Sequence, residues 1–146
     1  MSDTTLRLVL FDFDGTLCDS AATIIRLMKR ACAACDLPVP EDTFILGNIG
    51  HGISHVALAY ADGDPEKASQ LAETYRHIAC NEYLGSQPPL DPLFDGAKDI
   101  LRTLQSKDYL TGIITNKSRT GLDSLITRHG IDPVSYTHLT LPTSTH

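Results

Sequence analysis

Two carboxylates one residue apart, Asp12 and Asp14, stand where an apolar run ends: Leu8-Val9-Leu10-Phe11 leads directly into Asp12-Phe13-Asp14-Gly15-Thr16. The run lacks helical spacing, so it predicts a buried parallel strand that delivers polar groups to a sheet edge. In extended backbone, residues two apart project to the same side, and Gly15 lets the chain swing away at once. That geometry suits a divalent cation and an attacking carboxylate.

A second polar set closes another apolar stretch. Tyr109-Leu110-Thr111-Gly112-Ile113-Ile114-Thr115 predicts a strand, and its polar end reads Thr115-Asn116-Lys117-Ser118. Read alone, a threonine at a strand end is a turn former. Other residues have ligand-like spacing without ligand-like company. Cys32-Ala-Ala-Cys35 is spaced as a redox or metal pair, but it sits in an Ala-rich helix with no second pair, and small buried thiols are the better reading. His51 and His55, four apart, have no evident acidic or third histidine partner and read as a helix-surface pair. Asp62-Gly63-Asp64 reads as a loop.

The elements that must position these groups follow in order. After the first carboxylates, Ser20 can cap a helix through AATIIRLMKRACAAC, whose apolar stripe Ile24, Ile25, Leu27, Met28 and Ala31 lies beside Arg26, Lys29 and Arg30. A second helical start at Glu41-Asp42-Thr43 leads through glycines 47, 50 and 52 to a helix from Ile53 to Tyr60, and a third helix runs from Glu66 to about Leu84. Residues 20–87 thus read as all-helical. The turn-rich Gly85-Ser86-Gln87-Pro88-Pro89-Leu90-Asp91-Pro92 suits a linker, Gly96 to Lys107 makes a helix before the second strand, and the helix through GLDSLITRH stops at Gly130.

Composition narrows the function classes. With 146 residues, 42% apolar, the chain is long enough for one ordinary globular domain or a small core with an insertion. A net charge of −6 argues against a sequence-independent grip on nucleic acid phosphates, leaving a small soluble partner. No apolar stretch has the length to span a bilayer, and MSDTTLR offers no basic n-region or signal-type apolar stretch, so a cytoplasmic protein without membrane partners is expected. The oligomeric state is not fixed by these features.

Asp12-Phe13-Asp14-Gly15-Thr16 after an apolar strand resembles the first signature motif of the haloacid dehalogenase-like (HAD) hydrolases, and Thr115 resembles the second, a Ser or Thr whose hydroxyl holds a phosphoryl oxygen. Thr115-Asn116-Lys117 further resembles the run common in phosphoglycolate phosphatase-like members. The resemblance implies an α/β fold: a Rossmannoid three-layer core with an incomplete parallel sheet over residues 1–19 and 88–133, and an inserted all-helical cap over residues 20–87 in the subfamily I position. The loop Gly47-Asn48-Ile49-Gly50-His51-Gly52 would form the specificity face of that cap.

By the same resemblance, Asp12 is the nucleophile that divides hydrolysis of a phosphate monoester into formation and breakdown of an aspartyl phosphate, and Asp14 is the acid and base for the leaving oxygen and the attacking water. Mg2+ would be held by the Asp12 side chain, the Asp14 carbonyl and an acidic residue of a later motif. The amides of Phe13, Gly15 and Thr16 would cradle phosphoryl oxygens, with Thr115, Asn116 and Lys117 completing the phosphate site. The implied substrate is a small phosphorylated metabolite, phosphoglycolate-like. Asp14 argues against dehalogenation, which needs no proton donor; a beta-phosphoglucomutase or pyrophosphatase stays open, and from another class a non-catalytic phosphate-binding or regulatory module.

The departures are equally informative. The third motif, a Lys, and the fourth, an acidic cluster, should follow Gly130, and neither is found; Lys117 falls too early for the third. From Val134 the chain reads VSYTHLTLPTSTH, without a charged carboxylate, ammonium or guanidinium side chain and without sustained strand periodicity. VSYTHLTLPT resembles a translated sequencing adapter, so residues 134–146 are expected to be a non-native tail and the chain a C-terminally truncated, weakly active or inactive fragment.

Overall fold

The computed structural model describes residues 5–131 and 136–140. Leu8–Phe11 forms strand β1, followed by helices α1 (Ala21–Ala34), α2 (Asp42–Gly47), α3 (Ile53–Tyr60) and α4 (Pro65–Leu84). The chain then returns through α5 (Ala97–Ser106), strand β2 (Leu110–Thr115), α6 (Arg119–His129) and strand β3 (Tyr136–Thr140). The three strands form one parallel sheet in the order β1-β2-β3, with Leu8 opposite Leu110 and Phe11 opposite Ile113. This is the α/β, incomplete Rossmannoid core with a helical insertion that the motifs imply.

Side chains alternate across the sheet, and the two faces differ sharply. Phe11 and Ile113 lie on the face packed by Ala97 and Leu101 of α5 and by Leu122, Leu125 and Ile126 of α6, forming one apolar cluster. On the opposite face Leu8 and Leu10 are 56% and 44% exposed. Among the described residues the core therefore has the sheet and one helical layer. The insertion has a separate apolar cluster, built from Met28, Ala31 and Cys32 of α1, Ile45 of α2, Val56 and Ala57 of α3, and Ala68, Leu71 and Ala72 of α4. Cys32 is buried there, while Cys35, half-buried, donates to Thr74 Oγ1 at 3.4 Å.

Local chemistry explains the element ends. Asp64 caps α4, accepting from the Glu66 and Lys67 amides, with Pro65 in the first turn, where its missing N–H costs nothing. Ser118 caps α6 by accepting from Gly121, and Gly130, in the left-handed region at φ 66°, terminates it. Ser20 departs from expectation. It precedes α1 but makes no side-chain cap, because its hydroxyl is drawn to Asp14 instead.

A second correction concerns β3. No further strand is expected from the sequence after Gly130, yet Tyr136–Thr140 pairs with β2 from Thr111 opposite Tyr136 to Thr115 opposite Thr140. Parallel pairing is made by backbone groups, and the open edge of β2 accepts an uncharged run containing Thr and Tyr, residue types that suit extended backbone. The remainder of the expected tail, residues 134–135 and 141–146, lies outside the described residues. No helix among the described residues is long and apolar enough to cross a membrane.

Candidate active site

The C-terminal ends of β1 and β2 are adjacent, so the polar residues following each strand meet at one edge of the sheet. After β1 the backbone closes a tight loop: Gly15 N–H donates to Cys18 O at 2.8 Å, Thr16 N–H to Phe13 O at 3.2 Å, and Leu17 N–H to Phe13 O at 3.0 Å. Gly15 makes this possible at φ 80°, a conformation that side chains resist, and a Cβ there would also reach Ile49 at 3.5 Å. The fully buried Phe13 ring anchors the loop in the core between the two carboxylates. Asp12 and Asp14 are left on the cavity side.

Their partners distinguish them. Phe13 N–H donates to Asp12 Oδ1 at 2.7 Å. The part of the Asp12 carboxylate turned into the loop is desolvated, which raises its pKa; the Phe13 amide pulls it down and the Asp14 charge adds to the rise. Asp14 Oδ1 accepts from Ser20 Oγ at 2.6 Å and from Lys117 Nζ at 3.1 Å. Both side chains of that ion pair are nearly buried, at 8% and 11% exposure. Lys117 also lies over the ring of Tyr83, 5.2 Å from its centroid. Burial opposes the Lys117 charge, but Asp14 and Tyr83 outweigh it and hold the ammonium above the ordinary lysine range.

Thr115 is buried, and its hydroxyl accepts from Lys117 N–H at 3.0 Å. This turn aims the lysine back across the strand ends towards Asp14. Asn116 Nδ2 donates to Gly50 O at 2.9 Å, tying the core to the insertion. The loop from Ile49 to Gly52 is thereby pressed onto the strand ends, where a Cβ at Gly50 would lie 3.7 Å from Asp12 Oδ2 and one at Gly52 3.4 Å from Asn116 Oδ1.

Between insertion and core lies a cavity of about 180 Å³. Asp12, Asp14, Thr115, Asn116 and Lys117 line one end. The expected cradle residues Phe13, Gly15 and Thr16 belong to the loop beside it, with their amides spent on Asp12 Oδ1, Cys18 O and Phe13 O respectively. His51 and His55 stack with ring centroids 5.1 Å apart, and His51 stands at the cavity. Among the described residues no cluster of three His, Cys, Asp or Glu could hold a metal ion.

Several participants give little signal in the sequence. Asp91 reads as a linker residue, yet its buried carboxylate accepts from Thr23 Oγ1 at 2.5 Å and Tyr83 OH at 3.4 Å, so it joins the start of α1 to the end of α4 where the insertion meets the core. His129 Nε2 lies 2.6 Å from Asp91 O. Tyr83 supports Lys117, and Tyr75 lines the cavity; both are separated from the motifs by many residues. Ser20 was legible only as a helix start.

Two carboxylates, a hydroxyl and an ammonium gather at the C-terminal edge of a parallel sheet, beneath a helical insertion, which is where open α/β sheets place their ligand sites. A family model for haloacid dehalogenase-like hydrolases matches residues 9–138, and the chain belongs to that family. It is 35% identical over 113 residues to an N-acetylmuramic acid 6-phosphate phosphatase from Pseudomonas putida, covering 77% of this chain and 49% of the relative. It is 31% identical over 136 residues to a phosphoglycolate phosphatase from Pasteurella multocida, covering 88% and 60%. In fold it is similar to a haloacid dehalogenase-like family hydrolase from Streptococcus pneumoniae, with a TM-score of 0.72 and 22% identity over 94% of this chain and 62% of that one. The chain thus spans about half to three-fifths of the length of these relatives.

Proposed function

We propose that this chain carries the nucleophile and cap of a Mg2+-dependent phosphatase that hydrolyses small phosphorylated metabolites through an aspartyl phosphate. The observation that carries the reading is the meeting of Asp12, Asp14, Thr115 and Lys117 at one end of a single cavity roofed by the insertion. Because Asp12 Oδ1 is held by the Phe13 amide, Oδ2 is the oxygen left to attack phosphorus. As the P–O bond to Asp12 forms, the bond to the alcohol breaks, and Asp14 gives its proton to the departing oxygen. Asp14 then takes a proton from water as that water attacks the same phosphorus, releasing inorganic phosphate and restoring Asp12.

Lys117 and Ser20 both bond Asp14 Oδ1, and they hold in one place the carboxyl that must serve both steps. A phosphoryl dianion entering beside Thr115 would share the Lys117 ammonium with Asp14. The Asp12 carboxylate and the Asp14 carbonyl are hard oxygen donors that would hold Mg2+, which when bound would neutralise charge that Asp12 and Asp14 present to an anionic substrate. Phe13, Gly15 and Thr16 shape the loop that sets Asp12 and Asp14 on the cavity, and Asn116 holds the insertion against it. A cytoplasmic location accords with such substrates. Phosphoglycolate is the compound to assay first, since it names the Pasteurella multocida relative.

The described residues include neither a third-motif lysine nor a fourth-motif acidic cluster, and turnover by this chain is expected to be slow. The test is therefore capture of the intermediate. With Mg2+ and a phosphorus-labelled phosphomonoester, acid quench followed by peptide mapping should find hydroxylamine-sensitive label on Asp12, absent from Asp12→Asn. Phosphate binding without any label would instead favour a non-catalytic phosphate-binding or regulatory module.

A further inference from the structure

The cap end of the cavity differs in character from the core end. Ile24, Leu27, Met28, Ile45, Ile49 and Val56 form its wall. Only Lys117 and Arg76 bring an ammonium or guanidinium to the lining: Lys117 is at the core end with Asp14, and the exposed Arg76 donates to Ser54 Oγ at 2.7 Å. His51 is likewise exposed and stacked on His55. A carboxylate brought against these six side chains would lose its water and find no ionic partner among them. Carbon brought there would leave water favourably.

Polar side chains line the space as well, Asn48 and Tyr75 among them. Tyr75 is half-buried on the lining, and its hydroxyl has no hydrogen-bond partner among the described residues. Desolvation pushes the phenol up to about 12, with Lys117 pulling it down and Asp14 among the charges raising it, so it remains a neutral donor at ordinary pH. The wall and the donor together describe what lies beyond the phosphate.

We infer that the cavity selects phosphomonoesters of an uncharged alcohol, with apolar carbon next to the ester oxygen and a single hydrogen-bond acceptor within reach of Tyr75, and disfavours a carboxylate on the ester carbon. This rests on the phosphatase reading and narrows its substrate class. Ile49 is the discriminating residue, because it is half-buried, belongs to the loop over the catalytic turn, and its Cγ2 lies 3.5 Å from the Cβ position of Gly15.

Calorimetric titration of the 146-residue chain with Mg2+ present tests this, using inorganic phosphate, phosphoglycolate and n-butyl phosphate as probes. Butyl phosphate should bind at least ~10-fold more tightly than phosphoglycolate, and Ile49→Lys should abolish or invert that ratio while its circular dichroism spectrum stays that of the parent. If phosphate binds but phosphoglycolate matches or exceeds butyl phosphate, the inference falls and the phosphate site stands. A butyl preference unchanged by Ile49→Lys overturns the assignment to this wall. If none of the three probes binds, the phosphatase reading falls and takes the inference with it.

Discussion

Lys117 is the residue on which the site turns. Its Nζ is 3.1 Å from Asp14 Oδ1, both side chains are nearly dry, and Ser20 and Tyr83 complete their surroundings. Removing one partner of such a pair costs far more than the pair gains, because the other charge stays buried. Lys117→Met is therefore expected to lower stability by about 3 kcal/mol, read from urea denaturation at neutral pH. The pH dependence has a definite sign. Since the folded-state pKa of Lys117 lies above its unfolded value, the stability it contributes is complete below the ordinary lysine pKa and declines only as pH rises beyond it. The gap between parent and variant should therefore persist up to about pH 10. A gap that closes between pH 7 and 9 would mean that Lys117 is not held charged by Asp14.

At the scale of elements, the start of α6 is a packing problem as much as a cap. Ser118 supplies the cap, and Gly121 sits one turn in, where a Cβ would come within 3.0 Å of Tyr83 Cε2, 3.2 Å of Lys117 Cε and 3.2 Å of Ser118 Oγ. Propensity alone favours alanine over glycine in a helix by about 1 kcal/mol. Overpacking a full site costs typically about 1–3 kcal/mol, and here the displaced groups include Lys117, which bonds Asp14, and Tyr83, which lies against Lys117. Gly121→Ala should consequently be destabilising by about 1 kcal/mol in chemical denaturation. A stabilised variant would show that the Tyr83 ring and Lys117 stem can give way. The close approach of α4 to α6 is what converts a helix-neutral position into a constrained one.

For the molecule as a whole, the decisive feature is the uneven cover of the sheet. Phe11 and Ile113 face helices, whereas Leu8 and Leu10 share the other face and stand largely exposed, with Leu110 also 51% exposed. A parallel sheet is ordinarily covered on both faces, and apolar surface of this kind drives association. Sedimentation velocity should show concentration-dependent species larger than the monomer. The double variant Leu8→Thr, Leu10→Thr keeps residues suited to extended backbone while making that face polar, and it should shift the distribution towards monomer. An unchanged distribution would place the self-associating surface elsewhere.

Residue order fixed the parts that depend on near neighbours. The apolar run before Asp12, the helix starts and stops near Ile53, Tyr60 and Leu84, and the break at Gly130 follow from spacing, propensity and turn chemistry, which act over a few residues. The Asp12-to-Thr16 and Thr115-to-Lys117 motifs were legible for the same reason, and they sufficed to identify the family. Tertiary structure decided what depends on distant partners. Ser20 gives up a helix cap for Asp14, Asn116 turns to the loop of the insertion, Asp91 becomes a buried junction, and a run without strand periodicity pairs with β2. Each choice pairs a polar or backbone group with a partner that lies far along the chain or outside the local pattern, and such partners acquire an address only when the elements pack.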